Sequence, residues 1–227
     1  MKKSVFIFVV LLLSSIIYSK AQTGMQFGLK AGYNIATQYG SKSSDPAYDV
    51  ESEARHGFQG GFFLRFPITD AFSVQQEFLY TQKGSGQNVV MTQPAVSTFS
   101  DYRIDYFELP IMFRYHFLNI GNVEVYGSSG FALSMLLKGE YDVKGSVDVG
   151  GGVKVPIEES GDTDEMDDFD YNFIYGLGLE FDLFDQKCFF DYRQTIGWNM
   201  LDMPTSEGAE PAPLRNQTYS LSLGIYF

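Results

Sequence analysis

Eight stretches of this 227-residue chain alternate apolar and polar side chains with a period of two. Successive residues of a strand point to opposite faces, so this pattern predicts strands with one apolar side. The last eleven residues, QTYSLSLGIYF, show it most plainly: Tyr219, Leu221, Leu223, Ile225 and Phe227 share one face. Thr218, Ser220, Ser222 and Gly224 share the other. The eight stretches lie near residues 25–37, 56–66, 71–82, 103–117, 123–138, 170–184, 188–199 and 217–227. A soluble domain carries one such strand at an edge; eight in one chain predict an all-β fold.

The connections narrow this further. PITD, LNIGN and DQK make three short links, and the other four connections (38–55, 83–102, 139–169 and 200–216) are long. Short and long alternate strictly. In an up-and-down meander every short turn then falls at one end and every long loop at the other, with both termini at the short-turn end. A soluble barrel of the lipocalin kind has no reason to sort its loops this way. The expectation is an eight-stranded antiparallel up-and-down transmembrane β-barrel, with periplasmic turns and extracellular loops. Strands of 11 to 16 residues exceed the roughly 9–11 that a tilted strand needs to cross the hydrocarbon.

The N-terminus fits that destination. Lys2 and Lys3 precede the apolar run VFIFVVLLLSSII, which is short for a spanning helix, and Ser19 and Ala21 supply the small residues a signal peptidase reads. Cleavage after Ala21 gives a signal peptide over 1–21 and a barrel domain over 22–227. Losing Lys2, Lys3 and Lys20 takes the formal charge from −12 to −15. Such acidity argues against nucleic acid as a partner. The single cysteine, Cys188, forms no internal disulfide.

Face assignment follows the apolar set. Outward go Phe27, Leu29, Ala31, Tyr33 and Ile35 in the first strand, and Phe58, Gly60, Phe62, Leu64 and Phe66 in the second. Leu109, Ile111, Phe113, Tyr115 and Phe117 do so in the fourth, and Phe173, Tyr175, Leu177, Leu179 and Phe181 in the sixth. Gly127 and Ser129 interrupt the outward row of the fifth strand between Val125 and Phe131. Nearly every charge within a strand falls on the inner set. A lysine or arginine facing lipid at mid-membrane costs about 2–4 kcal/mol. The lumen is therefore expected to hold a charge network of Lys30, Arg65, Glu77, Glu108, Arg114, Asp191 and Arg193, with Glu124 as a further partner. Eight strands leave room for side chains but not for an open aqueous pore. A self-neutralising plug is the simpler reading of mixed charges at similar depth; a gated proton or ion path is the alternative.

The stretches FGLKAGYN, QQEFLYTQKG, YFELPIMFRYHF and YGLGLEFDL, with the terminal Phe227, resemble the PorT-like "porin family", an outer-membrane β-barrel domain of Bacteroidetes-type bacteria. The resemblance covers the whole mature chain. It implies a barrel like the small OmpA/OmpX proteins, and a role for Phe227 in the C-terminal signal read by the barrel-insertion machinery. It brings no catalytic residues.

Candidate chemistry is sparse. His116 is followed by Phe117 and Leu118, and His56 by Gly57 and Phe58, so neither carries the nearby serine of an outer-membrane lipid deacylase. His56 near Glu51 and Glu53 only faintly imitates an omptin-like protease site. No enzyme activity and no cofactor are expected. The loop at 139–169 ends in EESGDTDEMDDFD, where Asp162, Asp164, Asp167 and Asp168 are weak calcium candidates. Calcium favours several carboxylate and carbonyl oxygens, but no EF-hand spacing is present, and such runs are usually solvated. The preceding DVKGSVDVGGGVKVPIEE suggests a hairpin that raises the fifth and sixth strands above the membrane. The functional expectation is a structural or surface-interaction protein of the cell outer membrane, binding through its long loops. Its partners are outer-membrane lipid and possible extracellular or outer-membrane proteins. A small solute or ion channel and an accessory subunit of a secretion or surface assembly are the alternatives.

Overall fold

The computed structural model describes residues 24–40, 48–92, 95–148, 153–162, 169–198 and 214–227. The expected signal peptide lies outside them. Nine strands follow in order: β1 (Gln26–Gly40), β2 (Tyr48–Pro67), β3 (Phe72–Thr92), β4 (Ala95–Ile120), β5 (Val123–Asp148), β6 (Lys154–Asp162), β7 (Phe169–Leu183), β8 (Gln186–Gly197) and β9 (Leu214–Tyr226).

Eight of them close a ring. The order β4-β3-β2-β1-β9-β8-β7-β5 is completed by pairing of β4 with β5. Every pairing is antiparallel. The eight-stranded up-and-down barrel read from the sequence is the observed architecture, and β1 and β9 close the chain's two ends on each other.

The ninth strand is the departure. β5 pairs with β7 from Val123 to Met135, and with β6 from Glu140 to Asp148. β6 thus occupies the flank of β5 that β7 occupies lower down. The connection expected as a loop over 139–169 is largely strand. So is the one over 83–102: β3 and β4 remain paired up to Thr92 and Ala95. The upper part of β2, Tyr48–Ala54, pairs with β3 above the point where β1 leaves it. The sequence pattern fades here because these residues meet no lipid, yet backbone pairing continues without it. The result is a sheet of β2, β3, β4, β5 and β6 standing above the ring on one side. The loop at 200–216 lies mostly outside the described residues.

The outward rows form the apolar belt. Phe27, Leu29, Phe58, Phe62, Phe113, Tyr115, Phe117, Phe131, Leu177, Leu221 and Leu223 are exposed. Cross-strand rings reinforce it: Phe62 stacks on Phe78 at 4.6 Å, and Phe27 meets Phe227 at 5.5 Å. Aromatic cross-strand pairs contribute roughly 0.2–1 kcal/mol each beyond alanine. Gly127 and Ser129 do face outward. They floor a depression of about 510 Å³ between Phe113 and Tyr115 on one side and Tyr175, Leu177 and Tyr192 on the other.

The short turns differ in quality. In the β2–β3 turn the Ile68 and Thr69 amides donate to the Phe72 carbonyl, and Thr69 Oγ1 accepts from the Phe72 amide. Gly121, with φ of 60°, makes the β4–β5 turn. The β7–β8 turn places Phe184 and Asp185 at φ of 51° and 62°, a left-handed pair that glycine or asparagine occupies more readily.

Candidate functional site

Inward side chains fill the ring in tiers. Nearest the short turns, Glu180 of β7 is a hub. Arg65 Nη1 lies 3.0 and 2.9 Å from its two oxygens, and Arg114 Nη2 lies 2.9 Å from Oε1. The Tyr226 hydroxyl donates to Oε1 at 2.6 Å, and Lys187 Nζ lies 3.4 Å from Oε2. Above it Glu77 of β3 accepts from both terminal nitrogens of Arg193, at 2.9 and 2.8 Å, and from Gln75 at 2.6 Å. Lys30 Nζ sits between Glu77 at 3.4 Å and Asp191 at 3.6 Å, and Arg193 also reaches Asp191 at 2.8 Å. Gln75 links the tiers, accepting from Arg114 at 2.7 Å. Toward the loop end, Glu108 takes Lys83, Thr81 Oγ1 at 3.1 Å and Ser134 Oγ at 2.8 Å.

All seven charges expected in the lumen are therefore there, and Lys30, Glu77, Asp191 and Arg193 form one cluster. The pairing differs in detail. Arg65 and Arg114 find Glu180, and Glu108 finds Lys83. Glu124 lies at the rim with Lys187 at 3.3 Å. Each of the seven has an opposite charge beside it, the condition under which burial is tolerated.

Aromatic rings complete the filling, and alternation alone assigned none of them a role. Phe63, Tyr126, Phe189 and Tyr226 form one buried cluster in the lumen. Phe63 meets Tyr226 edge-on at 5.1 Å and Phe189 at 5.4 Å. The Arg114 guanidinium lies 3.7 Å from the centre of the Tyr126 ring, a cation–π contact. All four rings sit directly across from a glycine: Phe63 and Tyr226 from Gly28 on its two sides, Tyr126 from Gly178, Phe189 from Gly224. At Gly224 an added Cβ would fall 2.1 Å from the Phe189 ring. The inner glycines are the space into which the rings fold.

The packing extends around the whole circumference. Lys30 of β1, Phe63 of β2, Glu77 of β3, Arg114 of β4, Tyr126 of β5, Glu180 of β7 and Asp191 of β8 have side chains out of reach of a water-sized sphere. Ser222 of β9 is 1% exposed.

The two histidines are placed apart. His56 lies on the outer surface, its Nδ1 2.5 Å from the Tyr33 hydroxyl. His116 faces inward at the short-turn end, its Nε2 3.3 Å from Glu180 and 3.8 Å from Glu124. By ligand type, His116, Glu124 and Glu180 could hold a metal ion. Arg65, Arg114 and Lys187 already converge on that carboxylate pair, and a dication would join three positive charges there. The trio is better described as the end of the ion-pair network.

Above the ring the sheet has two unlike faces. On one, Tyr141 and Val143 of β5 lie across from Gly161 and Glu159 of β6, and Gly145 and Val147 across from Ile157 and Val155. On the other, Asp101, Asp142 and Ser160 form one cross-strand row, and Arg103, Glu140 and Asp162 the next. These residues line a depression of about 310 Å³. Arg55 pairs with Asp101, Lys138 with Glu140, and Lys144 with Asp142 at 3.1 Å. The Lys138 ammonium, through its hydrogen bond, holds the Glu140 carboxyl below the usual carboxylate range. Of the calcium candidates, Asp162 ends β6 across from Glu140; Asp164, Asp167 and Asp168 lie outside the described residues. Phe227 points outward at the short-turn end, its amide donating to the Phe27 carbonyl at 2.9 Å.

No curated protein matches the chain. Among solved structures it is similar to Neisserial surface protein A, at 14% identity and a TM-score of 0.47, over 90% of this chain and 99% of that one. It is also similar to the outer membrane protein OprG from Pseudomonas aeruginosa, at 10% identity and a TM-score of 0.48, over 90% and 97%. Ail of Yersinia pestis, solved with the heparin analogue sucrose octasulfate, matches at 13% identity and a TM-score of 0.36, over 89% and 99%. At these scores the likenesses carry no shared activity. The family assignment rests on the sequence: residues 20–201 match the outer membrane protein beta-barrel domain. This chain is a member of the outer membrane protein beta-barrel domain family, and its place is the outer membrane.

Proposed function

We propose that this barrel is a non-conducting, non-catalytic protein of the outer membrane, and that its raised sheet is an interaction surface. The observation that carries this reading is the sealed cross-section. Each of the eight ring strands contributes an inward side chain closed to water at the level of the Glu77 and Glu180 tiers. Ion pairs neutralise one another there, which suits a plug better than a path. The part of the molecule that varies from a plain barrel is the sheet above it, and a surface of unlike faces and free edges suits protein recognition.

Two finer statements belong to the same proposal. The chain is PorT-like within its family, on the four stretches quoted above. Phe227, exposed at the short-turn end beside Phe27, serves the insertion machinery rather than any activity of the folded barrel.

Purified protein in planar bilayers is expected to give no stable conductance; a sizeable steady current would overturn the plug. Cross-linking with mass spectrometry in native membranes is expected to join residues of the raised sheet to another protein. Recovery of the barrel alone would count against the interaction role.

A further inference from the structure

The free edge of β6 is the feature that most specifically selects a partner. β6 pairs with β5 and with no other described strand. Its second edge therefore presents a row of backbone donors and acceptors to whatever lies beside it, the template for strand addition.

The side chains set the chemistry of the added strand. On one face of β6 stand Val155 and Ile157, with Val155 46% exposed. Glu159 shares that face. On the other stand Lys154, Glu158 and Asp162, in register with Asp148, Lys144 and Glu140. The hairpin is acidic: residues 138–162 contain six carboxylates and three lysines. A strand laid along this edge meets a mostly apolar face on one side and a net acidic face on the other.

A second copy is a poor occupant. Parallel pairing of β6 with β6 sets Glu158, Glu159 and Asp162 of one copy beside the same residues of the other, antiparallel pairing centred on Glu158 still sets the two Glu158 carboxylates face to face, and like charges across strands repel. A basic strand meets no such repulsion.

We propose that β6 captures an extended segment of another protein by strand addition, and that this segment alternates apolar and basic residues. The proposal rests on the reading of the raised sheet as an interaction surface and names its partner's chemistry.

The test uses the full-length protein in lipid nanodiscs and synthetic nonapeptides alternating valine with lysine or valine with glutamate. The valine–lysine peptide is expected to bind at low salt, and to slow hydrogen exchange of backbone amides within residues 154–162. The double variant Glu158→Lys, Asp162→Lys is expected to lose at least tenfold in affinity for that peptide and to gain affinity for the valine–glutamate one. Three results would overturn the proposal: equal binding of both peptides to the unmodified protein, binding without added protection in 154–162, or protection confined to the other free edge at 48–54. Self-association through the β6 edge would assign it to a second copy and equally overturn it. If native cross-links reach a partner from other parts of the sheet, the interaction role stands while the β6 proposal fails.

Discussion

The Gln76 side chain stands in for the amide that Pro110 lacks. Gln76 pairs with Ile111 and Leu79 with Glu108, which sets Glu77 opposite Pro110. Proline offers no N–H to that ladder, so the Glu77 carbonyl would be bare at a wall that faces lipid. Gln76 Nε2 donates to the Glu77 carbonyl at 3.0 Å and to the Pro110 carbonyl at 3.1 Å. An unpaired backbone group in hydrocarbon costs several kcal/mol, which explains an amide on the outward face.

Gln76→Leu is therefore expected to destabilise the barrel by about 1–3 kcal/mol, read by urea unfolding in lipid vesicles. Pro110→Val restores an N–H, so in that background the same Gln76→Leu change should cost little. Equal costs in both backgrounds would show that the amide repairs nothing.

At Glu180 the expectation concerns buried charge. Glu180→Gln leaves Arg65 and Arg114 without their carboxylate, and breaking a buried pair from one side costs about 3–5 kcal/mol. Replacing Glu180, Arg65 and Arg114 together by leucine or methionine should recover most of that loss. Unfolding midpoints of the single and triple variants decide it; a triple variant weaker than the single would contradict the account.

The rings facing glycine make a paired prediction. Gly224→Ala forces a methyl group against Phe189, and overpacking of this kind costs about 1–3 kcal/mol. Phe189→Leu in the same chain should relieve part of it. Removing two rings, with Phe189→Ala and Tyr126→Ala, is expected to open a water path and give a measurable current in planar bilayers, where the parent gives none. A silent double variant would mean that the ion pairs alone seal the lumen.

The β7–β8 turn offers a gain. Phe184→Asn with Asp185→Gly installs the pair that the observed backbone favours, and should stabilise the barrel by about 1 kcal/mol, since each left-handed non-glycine residue costs roughly 1–2. An unchanged or lower unfolding midpoint would mean that Phe184, 91% exposed, contributes through the membrane interface instead.

Much of this was legible because lipid imposes a rule residue by residue. Phe27 to Ile35, Leu109 to Phe117 and Leu221 to Phe227 face outward as their alternation requires, and the seven lumen charges follow from the opposite phase. What alternation does not reveal is which inward residues meet across the lumen. Arg65 and Glu180 are 115 residues apart in sequence, and their contact depends on the stagger at which the ring closes. Phe63, Tyr126, Phe189 and Tyr226 evaded the same reading for a simple reason. Their inner rows are otherwise polar, and only the glycine opposite each of them marks the place where a ring can turn inward. The sheet above the membrane was the least legible part. Ser97–Arg103 lies in the part of the hairpin above the ring, so its mixture of polar and aromatic residues, STFSDYR, carries no outward signal even though its backbone is paired on both sides.

β4 and β5 are 26 residues each. At about 3.3 Å per residue that is roughly 85 Å of strand, of which a tilted crossing consumes about 9–11 residues. More than half of the hairpin is therefore a stiff mast, stepped in the same two strands that wall the sealed lumen. It carries its tip beyond the length of strand that crosses the lipid, so a protein that binds there need not reach down to the bilayer.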